Sequence, residues 1–206
     1  HVDFTYEVSR SLAAVEGAIL LVDATQGVQA QTIANLYLAL EQDIAIIPVI
    51  NKIDLPAADV ETTTKEIVAL LGCKKEDILC ASGKTGEGVA AILDAVIEHV
   101  PPPKGNVRMP LAALIFDSSY DEYRGVVASV RIVDGEVSKK NKLLFIKTGA
   151  QSLPVDIGIF TPKFKSVETL SAGEIGMIAT GLKDLKSCRV GDTITLFDAR
   201  TEPMRG

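Results

Sequence analysis

Three consecutive prolines, Pro101-Pro102-Pro103, separate two halves of this chain that differ in their residue patterns. A proline ring lacks a backbone donor and clashes with the preceding helical turn, so no helix continues through such a run. Before the prolines, apolar runs alternate with amphipathic stretches, whereas after them short strand-like runs alternate with glycines. The 206 residues suit two modest domains. We therefore predict two domains, over residues 1–103 and 104–206.

The first half contains three short, unbroken apolar runs, at residues 17–23, 44–50 and 77–81. Such runs are typical of strands that are buried on both faces of a parallel sheet. Apolar residues at helical spacing predict helices over 29–42, 60–71 and 88–100. This order predicts an α/β fold with right-handed crossovers. Pro48 conflicts with a strand interior, because it cannot donate to the ladder, and we place it near the end of its strand.

The second half shows no long amphipathic helix. Residues 126–133 and 136–146 flank the turn signal Asp134-Gly135, which predicts a β-hairpin. Further strand-like runs follow at residues 155–160, 175–179 and 193–197. A small antiparallel β-barrel accommodates this pattern best.

The tetrapeptide Asn51-Lys52-Ile53-Asp54 follows the second apolar run directly. Ligands of α/β sheets lie beyond the carboxyl ends of the strands, so these side chains are placed to contact one. An ionised Asp54 can accept hydrogen bonds from both the N1–H and the exocyclic amine of guanine, whereas adenine presents an acceptor there. Asn51 can bridge neighbouring loops and reach the other edge of the purine, and the stem of Lys52 can lie across the ring.

A second element of the same kind, Ser82-Gly83-Lys84, follows the third apolar run. In folds similar to small GTPases, a Ser-Ala-Lys loop at this place donates backbone N–H groups to guanine O6. Gly83 stands where alanine is usual, and we expect donation to survive with some loss of rigidity. Gly83-Lys84-Thr85 also resembles the end of a phosphate-binding loop, but that motif needs glycine at the position of Ile78. No other stretch of the 206 residues supplies that loop.

Together with these motifs, several longer strings resemble the LepA-type elongation factors of the translational GTPase class. They are residues 1–12 (HVDFTYEVSRSL), 51–59 (NKIDLPAAD), 101–103 (PPP), 158–163 (GIFTPK) and 191–193 (GDT). The resemblance extends over essentially the whole chain. It implies a ribosome-dependent GTPase that binds GTP or GDP with Mg²⁺, and a second domain that contacts ribosomal RNA.

The resemblance also assigns His1 a catalytic role, because the family has a histidine before the matching Val2-Asp3-Phe4 that orients the attacking water. In the family, the phosphate-binding loop, the magnesium-binding threonine and a D-x-P-G segment precede this histidine. We therefore expect the chain to be an internal part of such a factor, with its Mg²⁺ ligands outside it. We also expect the chain alone to be inactive as a GTP hydrolase. Its dissociation constant for nucleotide should be no lower than the millimolar range.

The amino-acid composition leaves some choices open. A net charge of −6 argues against a protein that wraps duplex nucleic acid, although a local basic patch formed by Lys139, Lys140, Lys142, Lys163 and Lys165 is compatible with RNA. The three cysteines form no C-x-x-C pair, so we expect no disulfide partner and no metal site of the protein's own. A cytoplasmic location follows from the resemblance, and peripheral contact with the inner face of the cell membrane stays open. Two alternatives also stay open: a ribosome- or RNA-docking module that hydrolyses nothing, and another translational GTPase such as a BipA-like factor.

Overall fold

The structure, a computed structural model, describes residues 5–204. The chain divides into two compact units between Pro101 and Pro102, inside the triple proline. The predicted domain boundary lies two residues later, after Pro103.

The first unit alternates helices with strands of a parallel sheet whose order is β1-β2-β3. Its elements are α1 (Thr5–Leu12), β1 (Gly17–Asp23), α2 (Ala30–Glu41), β2 (Ala45–Asn51), α3 (Val60–Leu71), β3 (Leu79–Cys80) and α4 (Val89–His99). The predicted parallel sheet with helices is confirmed. Its three strands and the helices α2 to α4 lie within two residues of their predicted positions.

At the central strand, β2, helices cover both faces of this sheet. Val49 and Ile50 are neighbours in β2, so their side chains point to opposite faces, and both are completely buried. Ile50 packs in a cluster with Ile67 of α3, and Val49 packs in another with Ala95 of α4. This two-sided burial explains why β2 appears in the sequence as a continuous apolar run. The predicted burial on both faces does not hold for β1, where Ile19 and Leu21 are 45% and 55% exposed.

Pro48 lies in the middle of β2, opposite Leu20 of β1, so its predicted place near the strand's end is wrong. The N–H of Ala45 donates towards the β1 side, to the carbonyl of Glu16 at 3.1 Å. Because amides alternate along a strand, the position of Pro48 faces the other side, where β3 lies. The first pair between β2 and β3 joins Val49 to Leu79. Pro48 therefore precedes the first β2–β3 pair, and no residue of β3 lies opposite its missing donor.

The second unit consists of antiparallel strands. They are β4 (Ala112–Asp121), β5 (Gly125–Asp134), β6 (Glu136–Ser138), β7 (Leu143–Phe145), β8 (Gln151–Ser152), β9 (Asp156–Phe160), β10 (Phe164–Ser166), β11 (Thr169–Ser171), β12 (Ile175–Ala179) and β13 (Thr193–Leu196). Eight strands form one sheet in the order β10-β9-β12-β5-β4-β13-β7-β8, and β6 pairs with β11 as a separate ribbon. The strands predicted at 155–160, 175–179 and 193–197 correspond to β9, β12 and β13.

Two predictions for this unit are wrong. The sheet is not a closed barrel, because β8 and β10 stand at its two edges and pair with each other nowhere in residues 5–204. The β6–β11 ribbon contributes to the core through the fully buried Val137 and Leu170. The predicted hairpin across Asp134-Gly135 does not form either, since β5 pairs with β4 and β12. Gly135, at φ 73°, leads the chain out of the large sheet.

Candidate guanine-binding site

The parallel register brings the ends of the three strands of the first unit to one edge of the sheet. Asp23, the last residue of β1, pairs with Asn51, the last residue of β2, and Cys80 of β3 pairs with Ile50. The loops that follow β2 and β3 therefore start side by side. Asn51 and these two loops contain all six residues predicted to contact guanine.

Asn51 connects the three loops at this edge. Its side-chain Oδ1 accepts the N–H of Gly83 at 3.0 Å, and its backbone carbonyl accepts the N–H of Ala24 at 2.9 Å. The predicted bridging of neighbouring loops is therefore present. Because Oδ1 is engaged, Asn51 presents its two amide N–H donors to a ligand.

Asp54 and Ser82 form the second contact between the loops. The hydroxyl of Ser82 donates to Oδ1 of Asp54 at 2.7 Å, and the same oxygen of Ser82 accepts the N–H of Thr85 at 3.1 Å. Ser82 is fully buried, whereas Asp54 is half-buried. A carboxylate has about four lone-pair sites, so Asp54 keeps the capacity to accept two donors from a base.

Several backbone donors of the loop after β3 already have acceptors. The N–H of Ser82 donates to the carbonyl of Glu87 at 2.9 Å, and that of Gly83 donates to Asn51. Within residues 5–204, no acceptor is found for the N–H of Lys84, and its side chain is exposed. Of the three residues Ser82, Gly83 and Lys84, only Lys84 therefore has a backbone N–H that is left for an acceptor such as guanine O6, within the described residues.

Lys52 is held in an unusual conformation. Its φ is 66°, in the left-handed region that side chains other than glycine seldom adopt. Its ammonium lies 2.5 Å from Oδ2 of Asp23 and remains half-exposed. Hydrogen bonds from Lys52 and then from Thr25 lower the pKa of Asp23 from 3.8 to about 2.

Neither Asp23 nor Thr25 is among the predicted site residues. A signal was present, because Asp23 ends an apolar run and the carboxyl ends of parallel strands meet at one edge. What could not be foreseen was that β1 lies next to the strand that carries Lys52.

His1, the predicted catalytic residue, lies outside the described residues. Residues 5–204 contain no group of three or more His, Cys, Asp or Glu side chains placed to hold a metal ion. Within the same range no helix is both long and apolar enough to cross a membrane.

Comparison with known families agrees with this geometry. Residues 1–102 match the family model of the elongation factor Tu GTP binding domain, and residues 125–195 match that of elongation factor Tu domain 2. The two matches place the chain in the translational GTPase class. Its relatives then specify the family within that class.

The chain is 55% identical over 195 residues to elongation factor 4 of Mycolicibacterium paratuberculosis, which covers 95% of the chain and 30% of that protein. It is 54% identical to elongation factor 4 of Thermobifida fusca, with 95% of the chain and 32% of that protein covered. For elongation factor 4 of Nocardia farcinica the identity is 54%, over 100% of the chain and 34% of that protein. The chain belongs to the elongation factor 4, or LepA, family. It spans about a third of the length of these relatives.

Proposed function

We propose that residues 1–103 are the guanine-recognising, C-terminal part of the GTP-binding domain of a ribosome-dependent translation factor, and that residues 104–206 are its second domain. One observation carries this proposal. The residues after β2 and β3 converge through the Asp54–Ser82 and Asn51–Gly83 hydrogen bonds at the ligand-binding edge of a parallel sheet.

Each contact residue has a role that follows from its chemistry. The carboxylate of Asp54 accepts N1–H and the exocyclic amine of GTP or GDP, oriented by the hydroxyl of Ser82. The amide group of Asn51 donates to the other edge of the purine, and the stem of Lys52 lies across its face. The N–H of Lys84, in the loop shaped by Gly83, donates to O6.

Hydrolysis requires further parts that these 206 residues do not contain. No phosphate-binding loop is present in the sequence, so contacts to the phosphates and to Mg²⁺ come from other residues of the full-length protein. His1 is assigned the role of orienting the attacking water. On this proposal the isolated chain hydrolyses no GTP and binds nucleotide no more tightly than the millimolar range, which calorimetry measures.

The second domain is proposed to contact the ribosome, including its RNA, in the cytoplasm. Lys139 contributes little to this contact, because its ammonium lies 2.7 Å from both Asp156 Oδ1 and Ser166 Oγ. The ammonium of Lys142 lies 4.0 Å from the centre of the Phe197 ring. The remaining lysines of the set are exposed and better suited to phosphates: Lys140, Lys163 and Lys165. Peripheral contact with the inner face of the membrane is a separate expectation, taken from the family resemblance.

The test of guanine recognition is Asp54→Asn in a full-length protein that carries this chain. An amide donor meets the O2 carbonyl of xanthine but cannot accept the two donors of guanine. We expect GTP affinity to fall by at least about 10-fold and xanthosine triphosphate affinity to rise, because each bond to a charged acceptor contributes about 1.5–3 kcal/mol.

The matched control is Asp77→Asn, which makes the same change in the turn before β3, where Asp77 accepts the N–H of Lys74 at 3.0 Å. This variant should keep its preference for GTP. An unchanged GTP preference in Asp54→Asn would contradict the proposed function.

A further inference from the structure

Asp23 is held in place by Thr25 and Lys52. Its Oδ1 accepts two hydrogen bonds from Thr25, from the backbone N–H at 2.9 Å and from the hydroxyl at 2.7 Å. Its Oδ2 faces the ammonium of Lys52 at 2.5 Å. Both carboxylate oxygens are therefore engaged, and the carboxyl plane is fixed relative to the end of β1.

Lys52 is fixed at both ends. At the backbone, its left-handed conformation is closed by the N–H of Leu55, which donates to the carbonyl of Lys52 at 3.1 Å. At the tip of the side chain, the ammonium is held by Asp23. A left-handed residue with a side chain costs about 1–2 kcal/mol, so the surrounding contacts must compensate for it.

The ion pair also determines what Lys52 can offer a nucleotide. Its charge is balanced by a carboxylate whose pKa is lowered to about 2, so the pair stays ionised at neutral pH. An ammonium that is already paired is a weak ligand for a phosphate. The aliphatic stem, tethered at both ends, is what remains available, and a purine needs such an apolar surface against its ring.

We propose that Asp23 is a positioning residue that acts through Lys52, by holding the lysine stem as a platform for the flat face of the guanine. The inference rests on the proposed function and extends it to a residue of a third loop. It implies that Asp23 affects how long the nucleotide stays bound, and that it does not affect which base is chosen.

The test measures the dissociation rate of N-methylanthraniloyl-GDP by stopped flow, in a full-length protein that carries this chain. Asp23→Asn and Lys52→Met should each accelerate release on the order of 5-fold, the effect of losing one half-exposed ion pair. The double variant should release nucleotide no faster than the faster single variant, because both changes break the same contact. The ratio of guanine to xanthine nucleotide affinity should stay unchanged in Asp23→Asn.

Two further variants separate positioning from general damage. Asp59→Asn removes a carboxylate of the same unit, one that accepts the N–H of Thr62 at 2.9 Å, and it should leave the release rate unchanged. Thr25→Val removes one donor to Asp23 and should give a smaller acceleration than Asp23→Asn, which keeps the test valid if Asp23→Asn folds poorly.

The outcomes are distinguishable. A wild-type release rate in Asp23→Asn, or an acceleration that persists in full in the Lys52→Met background, would overturn the proposed action through Lys52. Failure of the unmodified full-length protein to bind N-methylanthraniloyl-GDP would instead overturn the proposed function, and this inference with it.

Discussion

The hydroxyl of Ser82 donates to Oδ1 of Asp54 at 2.7 Å, from a position that is completely buried. This one bond joins the loop after β3 to the carboxylate after β2 that we propose recognises the base. The same oxygen accepts the N–H of Thr85, so Ser82 holds its own loop as well. Orientation of Asp54 and the shape of the second loop therefore depend on one hydroxyl group.

Ser82→Ala should weaken guanine binding and lower stability together. Loss of a neutral hydrogen bond to Asp54 is expected to reduce affinity by about 0.5–1.5 kcal/mol. The N–H of Thr85 also loses its acceptor, and because Thr85 is exposed to water we expect a loss of only about 0.5–1.5 kcal/mol of folding free energy. Fluorescent nucleotide titration of the full-length protein and urea unfolding measure the two effects.

The control for this prediction is Ser152→Ala in the second unit. Ser152 is also buried, and its hydroxyl donates to the carbonyl of Thr180. This variant should lose a similar amount of stability and keep full nucleotide affinity. Equal losses of affinity in both variants would show that the effect of Ser82→Ala is not specific to Asp54.

Two glycines at the site should respond differently to alanine. At Gly83 an added Cβ meets only Asn51 Oδ1, at 3.8 Å, and the backbone is not left-handed. At Gly88 the φ is 72° and an added Cβ lies 2.1 Å from the carbonyl oxygen of Cys80. We expect Gly83→Ala to change the free energy of unfolding by less than about 0.5 kcal/mol.

Gly88→Ala should cost at least about 2 kcal/mol, because it adds a backbone clash to a strained φ. Urea unfolding of both variants measures the difference. Equal costs would mean that the loop after β3 adjusts freely. Near-native nucleotide affinity in Gly83→Ala would also show that the glycine at this place is not required for guanine recognition.

The sequence predicted the local features well and the long-range ones poorly. The meeting of Asn51, Asp54 and Ser82 at one edge of the sheet was predictable, because each follows or ends an apolar run and the carboxyl ends of parallel strands lie together. The contact between Asp23 and Lys52 could not be predicted, because it depends on which strands are neighbours in the sheet. In the second unit, the Asp134-Gly135 turn signal was misleading, since β5 pairs with β4, which precedes it, and with the distant β12, and not with the residues after the turn.

The pH dependence of stability should show the ion pair of Asp23. Its pKa is lowered from 3.8 to about 2, so its stabilising effect is fully present above about pH 4 and is lost as the pH falls through 2. Thermal unfolding followed by circular dichroism should show wild type more stable than Asp23→Asn at pH 5, with the difference vanishing towards pH 2. A difference that stays constant from pH 5 to pH 2 would contradict this assignment.

The three free cysteines should react with maleimide in the order of their exposure. Cys80 is exposed, Cys73 is half-buried and Cys188 is fully buried. Desolvation, followed by the charge of Asp192, raises the pKa of Cys188 to about 12, and desolvation also raises the pKa values of Cys73 and Cys80. At pH 8 the thiolate fraction of Cys188 is then about one in 10,000, so its modification requires unfolding.

Mass spectrometry after N-ethylmaleimide treatment, with and without urea, measures the order, and Cys80→Ser should remove the fastest label. Modification of Cys188 in the native protein as fast as that of Cys80 would mean that the core of the second unit opens to solvent far more readily than its burial indicates.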